Sequence, residues 1–431
     1  MVKVLVVIIT FAWSKGYSDP IPINAFLSTV RNDYNLESQK EGISFLESSP
    51  VRASILDNVE FRIDDRALFS DQKSFPERLR YSLRLRPTGI RNAFAARQVH
   101  NTLLDYNVHR KKIVVNQLLK ERYMLIFELL YQRARLENYL RLSDLYQDRI
   151  RILKRKINYI DFDYNALIKS EREYTDVQLS IVEQRSKIEL IENKIRNLFP
   201  GAIQIEFDTT NIVSIETVYE MMSGSSIHID STNMYLMESR LKLRSEENRY
   251  RYESGSNKPH IRFIEFTFAQ DHFHDQLDNR RADQTYDFSN AFQLEVGLSF
   301  PTGGPNRLTE NRRKMALISE RNRYGEIKKA LEDRVSDLKA DVKSLLAQYT
   351  ILTRRNEEIA AESSLRHFTR FEGENPIYLL QIKESIIKNE IQVENLKYRI
   401  FKMFIETMDL TGKLSEKPLR NVISVNQELI P

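Results

Sequence analysis

The sequence predicts a mainly α-helical protein with a small β part, built as a duplicated β-hairpin followed by long coiled-coil helices. Three observations carry this. Glycine and proline number only 12 each in 431 residues, below the usual roughly 7% and 5%, so the chain runs long distances without turning. Neither residue occurs between Gly89 and Pro200, and only Gly325 lies between Pro305 and Gly373, which marks both stretches as long helices. Two other regions alternate apolar and polar residues with period two, the mark of strands with one greasy and one wet face. The chain has no cysteine, which removes disulfides, thiolate metal sites, cysteine nucleophiles and a lipid-modified cysteine.

The first 18 residues read as a secretory signal. Lys3 supplies a positive start, Val4–Trp13 is mostly apolar, and small residues follow at Ser14, Gly16 and Ser18. The apolar run is too short to span a bilayer, which takes about 20 residues. An N-terminal helix is expected over 22–47. The first hairpin, 58–87, alternates Val59, Phe61 and Ile63 with Glu60, Arg62 and Asp64, then Leu79, Tyr81, Leu83 and Leu85 with Arg80, Ser82, Arg84 and Arg86. A long helix over 92–157 would measure roughly 98 Å at about 1.5 Å per residue. The return helix, 164–198, carries a heptad seam: Leu167, Ser170, Tyr174, Val177, Ile181, Gln184, Ile188, Ile191, Ile195, Leu198. These elements make a first repeat, 19–198, and a segment over 199–229 follows it.

The second repeat, 230–412, has the same order. A helix to about 254 precedes a hairpin over 259–301. That hairpin sets Ile264, Phe266 and Phe268, then Phe292, Leu294, Val296, Leu298 and Phe300, against polar neighbours. A long helix over 306–371 shows the register Leu331, Val335, Leu338, Val342, Leu345, Tyr349, Leu352, Asn356, Ile359, and a return helix covers 376–411. The tail is 413–431. Pro87-Thr88-Gly89 recurs as Pro301-Thr302-Gly303. One constant offset also matches Asn92 with Asn306, Tyr164 with Tyr378, and Ile168-Lys169 with Ile382-Lys383. The outgoing helix over 92–157 nearly equals in length the return helix 164–198 and the helix 230–254 taken together, so it is expected to run antiparallel to both. The 199–229 segment then lies halfway along as an equatorial belt. The tail falls at the same height.

Four strands cannot close a barrel alone. Open edges in lipid leave backbone groups unpaired at several kcal/mol each, and single-chain barrels start at about eight strands. The strands are therefore expected to close by oligomerisation, with Tyr81, Leu83, Leu85, Phe292, Leu294, Val296 and Leu298 facing lipid.

The duplicated layout, the turns at Pro87 and Pro301, the stretch Phe371-Glu372-Gly373-Glu374-Asn375-Pro376 and the closing Leu410-Thr411-Gly412 together resemble the TolC-type outer-membrane efflux proteins. The resemblance covers essentially the whole mature chain. It implies a homotrimer with a twelve-stranded outer-membrane barrel on a twelve-helix periplasmic tunnel. It also implies docking to a periplasmic adaptor and an inner-membrane pump. The helix tips are then candidates for gating and docking: Asn158, Tyr159 and Asp161 at the first, and Arg370, Glu372, Gly373, Glu374 and Pro376 at the second. Tyr159 stands where the second tip has Gly373. Leu379 and Ile382 occupy positions where family members often carry acidic residues, and Glu384 is the nearest substitute. A basic cluster near the first tip, Arg149, Arg151, Lys154, Arg155 and Lys156, reads either as a solvated face or as a docking surface.

Little in the sequence speaks for chemistry. No P-loop, G-x-S-x-G or H-E-x-x-H pattern occurs, and no enzyme activity or cofactor is expected. Asp271-His272-Phe273-His274-Asp275 reads either as a polar external loop or as a metal site. Interleaved charges with a formal net of +5 give no footprint for nucleic acid. The functional expectation is a passive exit duct in the outer membrane, most of its mass in the periplasm. The alternative is a structural or adhesive coiled-coil envelope protein without transport.

Overall fold

The computed structural model describes residues 20–50, 56–66, 69–70, 73–74, 78–87, 90–158, 162–200, 205–224, 228–256, 260–271, 292–300, 305–361 and 376–430. The signal expected over residues 1–18 lies outside them. The helices are α1 (Ile23–Ser28), α2 (Tyr34–Ser48), α3 (Ile90–Arg155), α4 (Tyr164–Leu198), α5 (Ile215–Ser223), α6 (Met234–Ser256), α7 (Pro305–Ala361) and α8 (Pro376–Thr411). The strands are β1 (Leu56–Arg66), the two-residue β2 (Phe69–Ser70) and β3 (Lys73–Ser74), β4 (Arg78–Pro87), β5 (His260–Asp271) and β6 (Phe292–Ser299). The chain forms a mainly helical protein with a small antiparallel sheet, in two compact units.

One unit comprises Met1–Glu37, Lys112–Asp230 and Leu331–Pro431. Within it the later part of α3 has two antiparallel neighbours. Arg133 donates to Glu192, Gln178 to Ser143, and Lys154 pairs with Glu171, so partners descend α4 as they climb α3. The same holds for α8: Asn116 and Lys120 meet Asp409, Phe127 stacks on Phe401, Tyr131 on Tyr398, and Tyr146 reaches Glu384. The two stacks have ring centroids 4.4 and 4.8 Å apart. The α3–α8 seam was not foreseen. Helix α3 carries apolar residues all round because it is covered on more than one side, so no single stripe announces a partner.

The α4 seam is buried as its heptads require, and its two polar positions go with it: Ser170 is 0% and Gln184 1% exposed. On α7, Val335, Leu338, Val342 and Leu345 are buried, and Asn356 accepts a hydrogen bond from Asn389 of α8 at 3.1 Å. An asparagine at a seam position fixes register at some cost in stability.

The N-terminal segment does not form the single helix expected over 22–47. A 3₁₀ turn over Thr29–Asn32 and an extended Asp33 divide α1 from α2. The cause is Asp33 itself. Its carboxylate caps the backbone N–H of Asn35 and pairs with the buried Arg122 of α3, which no helix interior position would allow. The 199–229 segment contains α5, capped by Ser214 on the N–H of Thr217. The tail is hydrogen-bonded to that segment: Val213 N–H donates to Ile423 at 2.9 Å and Val425 N–H to Asn211 at 3.0 Å.

The other unit comprises Ser38–Lys111 and Ser231–Ala330. In it the first part of α3 runs antiparallel to α6, through Arg110–Glu238 and Asn248–Thr102. The unit also holds a four-stranded antiparallel sheet in the order β1-β4-β5-β6. The expected hairpins supply β1–β4 and β5–β6, and β4 joins β5 across the middle.

Candidate functional site: a two-faced sheet and the helix tips

Strand register turns the alternating sequences into rows. On one face the rows are Ile63–Tyr81–Phe268–Phe292, Phe61–Leu83–Phe266–Leu294 and Val59–Leu85–Ile264–Val296. Phe292 is 81% exposed, Leu294 62%, Leu298 58% and Phe61 64%. All seven residues expected to face lipid lie on this face: Tyr81, Leu83, Leu85, Phe292, Leu294, Val296 and Leu298. One row is aromatic from strand to strand, with Tyr81 6.5 Å from Phe268 and Phe268 5.1 Å from Phe292. Soluble monomers rarely expose a contiguous apolar patch of this kind.

The opposite face is polar. Its rows are Glu60–Arg84–Glu265–Glu295 and Arg62–Ser82–Thr267–Gln293. Arg84 pairs with Glu265 at 2.6 Å, and Arg62 and Arg86 both reach Glu60, at 2.6 and 2.8 Å. Sequence reasoning missed Phe263. Phe263 stands two residues before Glu265 and opposite Gly297, so it lies on the polar face, and the irregularity between Ile261 and Phe263 carries Ile261 opposite Leu298 on the apolar one. There Arg84 lies 4.5 Å from its ring centroid, and a Cβ on Gly297 would come within 2.4 Å of its ring. The glycine opposite Phe263 is the only signal in the sequence, since an aromatic ring commonly covers a cross-strand glycine.

Of the tip candidates, Asn158 is exposed in the turn after α3, and Pro376 is the first residue of α8, where its missing N–H costs nothing. Tyr159, Asp161, Arg370, Glu372, Gly373 and Glu374 lie outside the described residues. Glu384 lies in the α3–α8 seam, its side chain 12% exposed. It accepts from Tyr146 at 2.7 Å, Lys388 at 2.6 Å and Arg149 at 3.2 Å. Burial opposes its charge, but the bonds from Lys388 and Tyr146 and the nearby Arg149 outweigh it and hold the carboxyl below its ordinary range. Burial, then the bond to Glu384, pushes the Tyr146 phenol up. Within the basic cluster, Arg149 also faces Glu173 at 3.7 Å, Arg151 pairs with Asp148 and Lys154 with Glu171. Those three charges are met inside the chain.

Replacing Glu384 by Gln is expected to cost about 1.5–3 kcal/mol at neutral pH, the range for a hydrogen bond to a charged group. The sign with pH follows from its lowered value: the contribution is present above the unfolded carboxyl range and is lost as pH falls through the folded value. Urea unfolding of both proteins at pH 7 and below about pH 4 checks this, and a difference that does not shrink in acid would show the network is not ionic.

Among the described residues, no group of three or more metal-ligating side chains occurs. The Asp271–Asp275 stretch falls outside them apart from the backbone of Asp271. No described helix is long and apolar enough to cross a membrane.

No family profile and no curated protein matches the sequence. Solved structures do. The outer membrane protein VceC of Vibrio cholerae superposes with a TM-score of 0.66 at 12% identity, over 90% of this chain and 96% of that one. The open state of the MtrE outer membrane channel of Neisseria gonorrhoeae gives 0.66 at 10%, over 90% and 88%. The CmeC outer membrane channel of Campylobacter jejuni gives 0.61 at 10%, over 90% and 85%. The chain has the fold of the TolC-type outer-membrane channels.

Proposed function

We propose that this protein is a passive outer-membrane exit duct for efflux or secretion, closed as a homotrimer and docked through its helix tips to a periplasmic adaptor and an inner-membrane pump. The observation that carries this reading is the sheet: four strands, two open edges, one exposed apolar face and one charged face. In lipid such edges are tolerable only when paired, and three copies supply the twelve strands of a barrel whose polar face lines a lumen. The aromatic row Tyr81–Phe268–Phe292 suits the girdle that such barrels place at the membrane interface. Fold likeness to outer-membrane channels supports the same reading, and the secretory signal expected over residues 1–18 agrees with it. Transport would draw its energy from the pump, so the duct itself needs no catalytic group.

Purified protein is expected to be trimeric in detergent and to form pores in planar bilayers. A well-folded monomer would remove the barrel, and a trimer that never conducts would favour the adhesive envelope protein. The tips also narrow the path, and charges act most strongly where screening is least. Substituting Glu374 or Glu384 is therefore expected to change conductance or ion preference more than substituting Gln293 in the sheet.

A further inference from the structure

We propose that the barrel closes through an ion pair between Glu295 on β6 and Arg62 on β1 of a second copy, with Arg62 placed opposite Gly297. This deepens the trimeric reading and rests on it. Three antiparallel steps separate β1 from β6, so the two edges run in opposite directions. The β6 edge of one copy beside the β1 edge of the next continues the pattern and can close a ring, whereas β6 against β6 would only make a two-fold pair.

Charge then selects the partner. Glu295 stands directly opposite Glu265, and like charges across a ladder are destabilising unless answered. Glu265 has Arg84 at 2.6 Å. Glu295 has no ion pair among the described residues, and its outer side is the open edge. On β1, Arg62 is the cation among the described side chains of the polar face. It shares Glu60 with Arg86 and is 44% exposed, so Glu60 keeps Arg86 when Arg62 turns outward.

Tilt selects the register. Arg62 directly opposite Glu295 offsets successive copies by about two residues over four strands, roughly 7 Å across about 19 Å, a tilt of about 19°. Barrels tilt by about 35–45°. Moving Arg62 opposite Gly297 doubles the offset and gives about 35°. Arg62 then sits diagonal to Glu295, within reach of a long side chain. Asp64 comes opposite Glu295 in this register, and its own ladder partner is Arg80. An offset of the other sign would carry β6 past Leu56, where β1 begins.

The chain has no cysteine, so paired cysteines report register cleanly. The register aligns Leu298 with Phe61 of the next copy. L298C/F61C is expected to form intermolecular disulfides under mild oxidation, well ahead of L298C/V59C. In parallel, E295R or R62E alone should raise the monomer fraction about tenfold on mild heating, and E295R/R62E should return it to within about threefold of the parent. A trimer that links at Val59, that ignores both single reversals, or that is rescued by R66E instead of R62E overturns the pair and leaves the duct standing. A parent protein that is monomeric overturns both.

Discussion

Val296→Arg is expected to cost about 2–4 kcal/mol per chain, the range for a cation at mid-depth on the lipid face of a barrel. Val296 is 48% exposed within the apolar row Val59–Leu85–Ile264–Val296, so in water the same substitution would be close to neutral. The effect therefore belongs to lipid and not to packing within the chain. Gln293→Arg, three residues away on the polar face, should stay within about 0.5 kcal/mol. Urea titration of the trimer in lipid vesicles measures both. Equal costs at the two positions would mean that the sheet does not face lipid as its alternation implies. A large cost at Gln293 alone would mean that the two faces are exchanged.

The two return helices were legible almost to the residue. Expected over 164–198 and 376–411, they run Tyr164–Leu198 and Pro376–Thr411. Their punctuation is strong: Asp163 caps α4 on the N–H groups of Asn165 and Ala166, Pro200 follows its end, and Pro376 opens α8. The two faces of the strands were legible from their alternation, since period two leaves one choice of face once a strand is greasy on one side; the pairing of β4 with β5 was not.

Three other things were not legible, each from a different cause. Helix α5 has nine residues, too few for a helical period to show against its Ser and Gly flanks. The break at Asp33 depends on Arg122, which is 89 positions away, and no local propensity encodes it. Phe263 is an aromatic residue on the polar face, so a reading that sorts strand residues by hydropathy passes over it. At the tips the limit was different. Glu384 was read as a substitute for an entrance charge, and its three donors in the α3–α8 seam became visible only when the helices were brought together. Whether it also acts on passing ions is what the conductance comparison decides.

Phe404→Ala is expected to cost about 3–5 kcal/mol, the range for removing a buried aromatic. Phe404 is 0% exposed on α8. Its cluster gathers Phe26 and Leu27 of α1, Leu119 and Ile126 of α3, Ile195 of α4, Val218 of α5, Val342 of α7 and Ile423 of the tail. Every chain segment of that unit thus meets one core, so truncation there should lower the unfolding temperature of the whole helical unit and not loosen a single helix. Phe404 also borders a cavity of about 390 Å³, with Met221, Met408 and Val422 beside it. Truncation enlarges a space that already exists, and the two flexible methionines are the side chains able to refill it. Phe404→Leu keeps most of the volume and should cost less than half as much, whereas Phe401→Ala should lose chiefly its stack on Phe127, about 0.5–1.5 kcal/mol beyond its area. Thermal unfolding followed by circular dichroism ranks the three variants. If Phe404→Ala proves no worse than Phe401→Ala, the junction of these segments is not the cooperative core of the helical unit, and the unit's stability resides along the coiled-coil seams instead.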